Sequence, residues 1–110
     1  MLSGDLVAPC LAAFEGGEPA LARFDLELFR PVFPMLADTA ESVPDAVSRL
    51  GEALWEQKLD GARVQAHRRG DQVRVFTRAL LEVTAAVPEV VELVAALPCA
   101  EVVLDGEVLA

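Results

Sequence analysis

Glu56-Gln57-Lys58-Leu59-Asp60-Gly61-Ala62-Arg63 sets a lysine, an Asp-Gly pair and an arginine between two apolar runs, and its reading decides the fold. Leu54 and Trp55 lead into it, and Val64 and Ala66 carry the chain out. Asp-Gly is a strong signal for a two-residue hairpin loop, so the stretch predicts strand, tight turn, strand. A lysine on the lip of such a turn is either a solvated tip residue or a group aimed at a ligand. Spacing alone favours the solvated tip and leaves both open.

Downstream, residues 63–67 and 72–77 read as strands around a second turn at Arg69-Gly70-Asp71, with residues 53–58 as the strand before them. Pro88 stands at the favoured first position of a helix whose buried stripe is Val90, Val91, Leu93, Val94 and Leu97, and Pro98 stops it. Val102-Val103-Leu104 reads as a buried strand. Asp105-Gly106-Glu107 follows as a turn, and Val108-Leu109-Ala110 enters another apolar step with no cap or polar tail, the ending expected of a truncated sequence. Upstream, Ser42 or Asp45 caps a short helix through Leu50 that Gly51 ends. The prolines in Arg30-Pro31-Val32-Phe33-Pro34-Met35-Leu36-Ala37 force an extended segment, the candidate boundary. Before it, residues 2–14 and 19–29 show three- and four-residue apolar spacing, which predicts two helices broken at Gly16-Gly17.

The 110 residues make one small domain or a piece of a larger one, and a 54% hydrophobic content is enough for a core. Eighteen acids against nine bases give a net charge of −9, which argues against nonspecific binding to polyanions. Between Lys58 and Arg78, however, stand six of the nine bases and two acids, a local basic strip. Cys10 and Cys99 are expected to be free buried thiols. No apolar run approaches the roughly 20 residues of a membrane span, and the N-terminus lacks a signal-peptide pattern, so the expected compartment is the cytoplasm. With one histidine and scattered cysteines there is no zinc-ligand spacing. His67 has no apparent partner for a Ser/His/Asp arrangement and is expected to be a surface strand residue.

Lys58 carries the chemistry, if any does. A lysine is nucleophilic only as the neutral amine, and its free pKa of about 10.4 keeps it protonated near neutrality. Neighbouring positive charge and partial burial lower that pKa, and Arg63, five residues on, supplies the first. Against a phosphorus electrophile, an arginine also holds oxygens and a metal ion withdraws charge.

Lys58-Leu59-Asp60-Gly61-Ala62-Arg63 resembles the K-x-D-G-x-R signature of the covalent nucleotidyltransferases, the group of ATP-dependent DNA ligases, RNA ligases and capping guanylyltransferases. Phe76-Thr77-Arg78-Ala79-Leu80-Leu81-Glu82-Val83-Thr84 with Pro88-Glu89 is similar to the second ligase motif. Val103-Leu104-Asp105-Gly106-Glu107-Val108 is similar to the third. Order and spacing both fit, and residues 30–37 resemble the lead-in from the helical DNA-binding domain to the adenylation domain of bacterial ATP-dependent DNA ligases.

The resemblance implies roles. Lys58 attacks the α-phosphorus of ATP and becomes lysyl-AMP, Glu56 accepts from the adenine amino group, and Arg63 holds the ribose or phosphate side. Arg78 contacts the 5′-phosphate strand of a nick, and Glu107 binds a ribose hydroxyl or the metal, Mg2+. Asp60 and Gly61 shape the turn, and Asp105 is read as either a turn residue or a site residue. Ala79 and Glu82 depart from the usual second motif. The later motifs are absent, so the resemblance covers about residues 20–110 and the first half of an adenylation domain.

The implied fold class is α+β, a helical segment followed by part of an antiparallel-sheet nucleotidyltransferase domain. Its expected division is residues 1–30 as the end of the DNA-binding domain, 31–52 as linker and short helix, and 53–110 as the first half of the adenylation domain. The expected partner is nicked duplex DNA, with no membrane and a monomeric full-length state. The alternatives are a catalytically silent nucleotide- or DNA-binding fragment and an RNA-joining or capping-type enzyme. A half-sheet of this kind exposes an unpaired edge and apolar faces.

Overall fold

A computed structural model of the chain describes residues 7–109, and an antiparallel sheet organises it. β1 (Ala62–Arg69) lies between β2 (Gln72–Thr77) and β3 (Glu101–Val108). β1 meets β2 through a two-residue loop, Gly70-Asp71, in which Gly70 has φ 57°. Positive φ at the first loop position suits glycine, and Arg69 pairs with Gln72 on either side. β3 returns antiparallel on the other edge, with Arg63 opposite Glu107, Gln65 opposite Asp105 and Arg69 opposite Glu101.

Because side chains alternate along a strand, this register sorts the sheet into two faces. Val64, Ala66, Val73 and Val75 form one buried face, joined by Val94 of α3 (Pro88–Ala95), with Val90, Val91, Leu97, Val102 and Val108 packed around them. α3 has its proline in the first turn as expected. At its C-terminal end, the Arg68 guanidinium donates to the carbonyls of Val94 at 3.2 Å and Leu97 at 2.7 Å. A cation there satisfies end carbonyls and complements the helix dipole.

The opposite face carries Arg63, Gln65, His67 and Arg69 from β1, with Arg74, Phe76, Asp105 and Glu107 beside them. Part of it is covered by the extended chain before α2 (Val43–Leu50). Gln65 accepts from the Val32 N–H at 3.1 Å and donates to the Val32 carbonyl, while His67 Nδ1 accepts from the Phe29 N–H at 2.9 Å. α2 matches its sequence signals. Ser42 caps it by accepting from the Asp45 N–H, and Gly51, at φ 68°, ends it.

The α+β class therefore holds, but several local expectations do not. Residues 53–60 form no strand, and both edges of β1 are already occupied by β2 and β3. Asp60-Gly61 is therefore no hairpin turn. Gly61 has a different reason to be glycine: a Cβ there would collide with the Val108 carbonyl oxygen and lie 2.8 Å from Leu109 Cδ2. Asp105, Gly106 and Glu107 are not a turn but the body of β3, and the predicted last strand is its continuation to Val108.

At the N-terminus, α1 (Val7–Leu21) bends where a break is expected, at Gly17 with φ 60° and ψ −151°. The start of the predicted first helix, residues 2–6, lies outside the described residues, as does Ala110. The second helix stops at Leu21 instead of reaching residue 29. Phe29 takes φ 67°, a region costing a residue with a Cβ about 1–2 kcal/mol, and gives its N–H to His67 instead of a helical carbonyl. The Arg74 and Arg69 guanidinium carbons lie 5.2 and 5.8 Å from the Phe29 ring centroid, cation–π contacts that help hold it.

His67 is not a surface residue but 1% exposed, edge-on to Phe76 at 5.2 Å between ring centroids. Its Nε2 is buried without a hydrogen-bond partner. The cysteines are free as expected, yet Cys10 is exposed and Cys99 half-buried, so neither is a core thiol.

Two predictions follow from this packing. Burial holds the His67 pKa below the ordinary histidine value. The unfolded imidazole starts to take a proton as pH drops through about 6.5, while the folded one resists until lower pH. Stability is thus complete above that value and declines below it. Denaturant melts at pH 7 and pH 5 should show a loss that His67→Asn, which keeps an acceptor but does not titrate, reduces. Gly61→Ala should destabilise by about 1–3 kcal/mol through the clash with β3, read as a lower urea midpoint at unchanged slope.

Candidate nucleotide site

The polar face of the sheet is left open at the end where β1 begins and β3 finishes. There the Arg63 guanidinium donates twice to one carboxylate, Nε to Asp105 Oδ1 at 2.9 Å and Nη2 to Oδ2 at 3.0 Å. The pair spans adjacent strands at diagonal register positions, since Arg63 faces Glu107 and Gln65 faces Asp105. The hydrogen bonds to Asp105 also push the Arg63 pKa up from its ordinary value. Beside it, Glu107 Oε1 accepts from the Gly61 N–H at 3.0 Å, tying the entrance of β1 to the end of β3.

This corner opens into a groove of about 830 Å³. Its lining includes Glu56 and Lys58 from the irregular segment before β1, Arg63 from β1, Arg78 from the loop after β2, and Glu107 from β3. All five residues singled out in the sequence thus meet in one place, although they come from three separated motifs. Asp105, left open as a turn or site residue in the sequence, joins them. The signal that places it is the strand alternation of 101, 103, 105 and 107, visible only once β3 is known to run unbroken.

Arg78 is displayed by a tight loop. The Leu80 N–H donates to the Thr77 carbonyl at 2.8 Å, and the Thr77 N–H donates to the Leu81 carbonyl at 2.9 Å. Leu80 adopts φ 65°, which folds the loop back on β2. The lysine sits differently from its expected place on a hairpin lip. Its segment is exposed and irregular, and is anchored where Gly61 meets Glu107.

The basic strip of the sequence is largely matched by acids across the sheet. Arg63 pairs with Asp105, Arg69 with Glu101 at 2.8 Å and Arg74 with Glu82 at 3.8 Å, while Arg68 serves the end of α3. Among the described residues, Lys58 and Arg78 are the members of the strip with no hydrogen bond or ion pair, and both line the groove.

No cluster of three metal-ligating side chains occurs among the described residues. Asp105 has both oxygens on Arg63, and Glu107 has one on Gly61. Of these two carboxylates only Glu107 keeps an oxygen, Oε2, with no hydrogen bond, a single donor of the kind that Mg2+ would take alongside phosphate oxygens and water.

Residues 34–110 match the family model described as ATP dependent DNA ligase domain. Over 111 aligned residues the chain is 60% identical to a protein named probable DNA ligase from Rhodococcus opacus (strain B4) and 60% identical to one from Rhodococcus jostii (strain RHA1). It is 54% identical over 110 residues to a probable DNA ligase from Saccharopolyspora erythraea. Each alignment covers 100% of this chain but 22% of the relative, so the chain spans about a fifth of the length of these proteins. Over most of its length, in the residues that build the sheet and the groove, the chain belongs to the ATP-dependent DNA ligase domain family.

Proposed function

We infer that the groove is the nucleotide site of an ATP-dependent DNA ligase and that Lys58 is its nucleophile. The observation that carries this is convergence: Glu56, Lys58, Arg63, Arg78 and Glu107, drawn from three separate motifs, line one groove. The neutral Lys58 amine attacks the α-phosphorus of ATP. A P–N bond forms, the bond to the β-phosphate oxygen breaks, pyrophosphate leaves, and the displaced amine proton passes to solvent. AMP is then handed to the 5′-phosphate of a nick in duplex DNA, where attack by the 3′-hydroxyl releases it and seals the strand.

The other side chains take supporting roles. Glu56 accepts from the adenine amino group. Arg63, oriented by Asp105, retains N–H donors beyond the two that Asp105 takes and turns them to the ribose or phosphate. Arg78 meets the 5′-phosphate strand of the nick. Glu107 holds a ribose hydroxyl or Mg2+, and the metal when bound neutralises phosphate charge. The division into residues 1–30, 31–52 and 53–110 belongs to this reading, as do a monomeric full-length protein and a cytoplasmic setting. Among the described residues no helix is long and apolar enough to cross a membrane.

Two experiments test the reading. In a full-length ligase carrying this chain, Lys58→Ala should abolish capture of label from α-labelled ATP with Mg2+, and persistent lysine-linked label would sink the assignment. Asp105→Ala should slow that capture by about tenfold or more in single-turnover assays, because Arg63 loses its fixed orientation. An unchanged rate would remove Asp105 from the site.

A further inference from the structure

The extended chain from Phe29 to Ala37 reads as a linker, yet two buried side chains of β1 grip it. Gln65 is 5% exposed and commits both ends of its carboxamide to Val32, one to the N–H and one to the carbonyl. This imitates the paired bonds by which one strand holds another. His67 fixes the same segment three residues earlier, at the Phe29 N–H. Pro31 and Pro34 then restrict the path that follows.

Four residues past Val32 this segment reaches the groove. Leu36 and Ala37 line it together with Glu56 and Lys58. Leu36 remains 68% exposed, so its position there contributes little to the core. Apart from Leu59, the rest of the lining is charged, polar or glycine. A purine presents two apolar ring faces, and nucleotide pockets bury them against apolar side chains while polar groups fix orientation.

We propose that Leu36 and Ala37 form the base-side wall of the groove, and that Gln65 is the positioning residue that holds this wall in place through Val32. The proposal rests on the nucleotide reading above. It makes the extended segment part of the site, where the sequence shows only a boundary.

The test uses a full-length ligase carrying this chain and follows AMP capture on Lys58 as ATP is varied. Leu36→Ala should raise KM for ATP about tenfold and leave the maximal rate within about twofold, since the lost contact is to the base and not to the reacting phosphorus. Inhibition by pyrophosphate, which has no base, should be unchanged. Gln65→Leu should give the same signature, and the double variant should be no worse than the stronger single one, because both act through the same wall. Should Gln65→Leu fail to fold, Leu36→Ala and Leu36→Asp, at an exposed position, carry the test alone. An unchanged KM in the Leu36 variants, a reduced maximal rate at unchanged KM, or additive effects in the double variant would each overturn the proposal while leaving Lys58 as nucleophile. Failure of the unmodified protein to capture AMP on Lys58 would overturn both readings.

Discussion

The pairing of β1 with β3 is the constraint on which the rest depends. It brings residues some forty positions apart into one register, with Arg63 opposite Glu107 and Arg69 opposite Glu101. It also fills the second edge of β1, which denies residues 53–58 a place beside it and leaves Lys58 on an irregular lead-in. Close approach at the end of this pairing, where Gly61 lies against Val108, is possible only without a Cβ. One long-range pairing thus accounts for the glycine of the signature, the location of the lysine and the meeting of the first and third motifs, while the β1–β2 hairpin brings Arg78 of the second.

The two-residue period of the strands then divides the work. Valines and an alanine on one face bury themselves against α3, and Val75 is fully covered. Such non-directional burial supplies most of the driving force for folding. The other face holds directional groups, Gln65 and His67 fastening the extended segment and Arg63, Asp105 and Glu107 opening onto the groove. A shift of one residue in register would exchange the two faces, so the site's composition and the core's are set by the same hydrogen-bond ladder.

What was legible in the sequence was local or carried by motif. Ser42, Gly51, Pro88 and the Gly70 turn all act within a few residues of themselves, and each marks the element it should. The five residues that line the groove were singled out by motif spacing and not by periodicity. The failures share a different cause. Residues 22–29 keep a helical spacing, but the Phe29 amide is taken by His67, thirty-eight positions away. His67 itself sits in a basic run yet is buried edge-on to Phe76 and bonded to the Phe29 amide, a burial that its neighbours in sequence cannot announce. Asp105 next to Gly106 imitates a turn, and only the unbroken ladder to β1 makes it a strand residue opposite Gln65 and within diagonal reach of Arg63.

The electrostatics of the groove follow from the same geometry. A chain of net charge −9 is a poor general ligand for nucleotides or DNA, so any anion it holds must be met by cations in particular places. Across the sheet, acids answer Arg69 and Arg74, leaving the strip weak as a diffuse electropositive surface. Arg63 is also answered, but with both groups about 40% exposed, 38% for Arg63 and 41% for Asp105, such a pair adds little to stability. Its effect is geometric: two parallel bonds hold a planar guanidinium in one orientation, and its other donors project from there. Lys58 and Arg78, without ion-pair partners among the described residues, remain as the unpaired cations of the groove beside that fixed one. Under the ligase reading this arrangement suits an anion that arrives, reacts and departs, because the oriented arginine keeps its place while the unpaired lysine is free to change its covalent state.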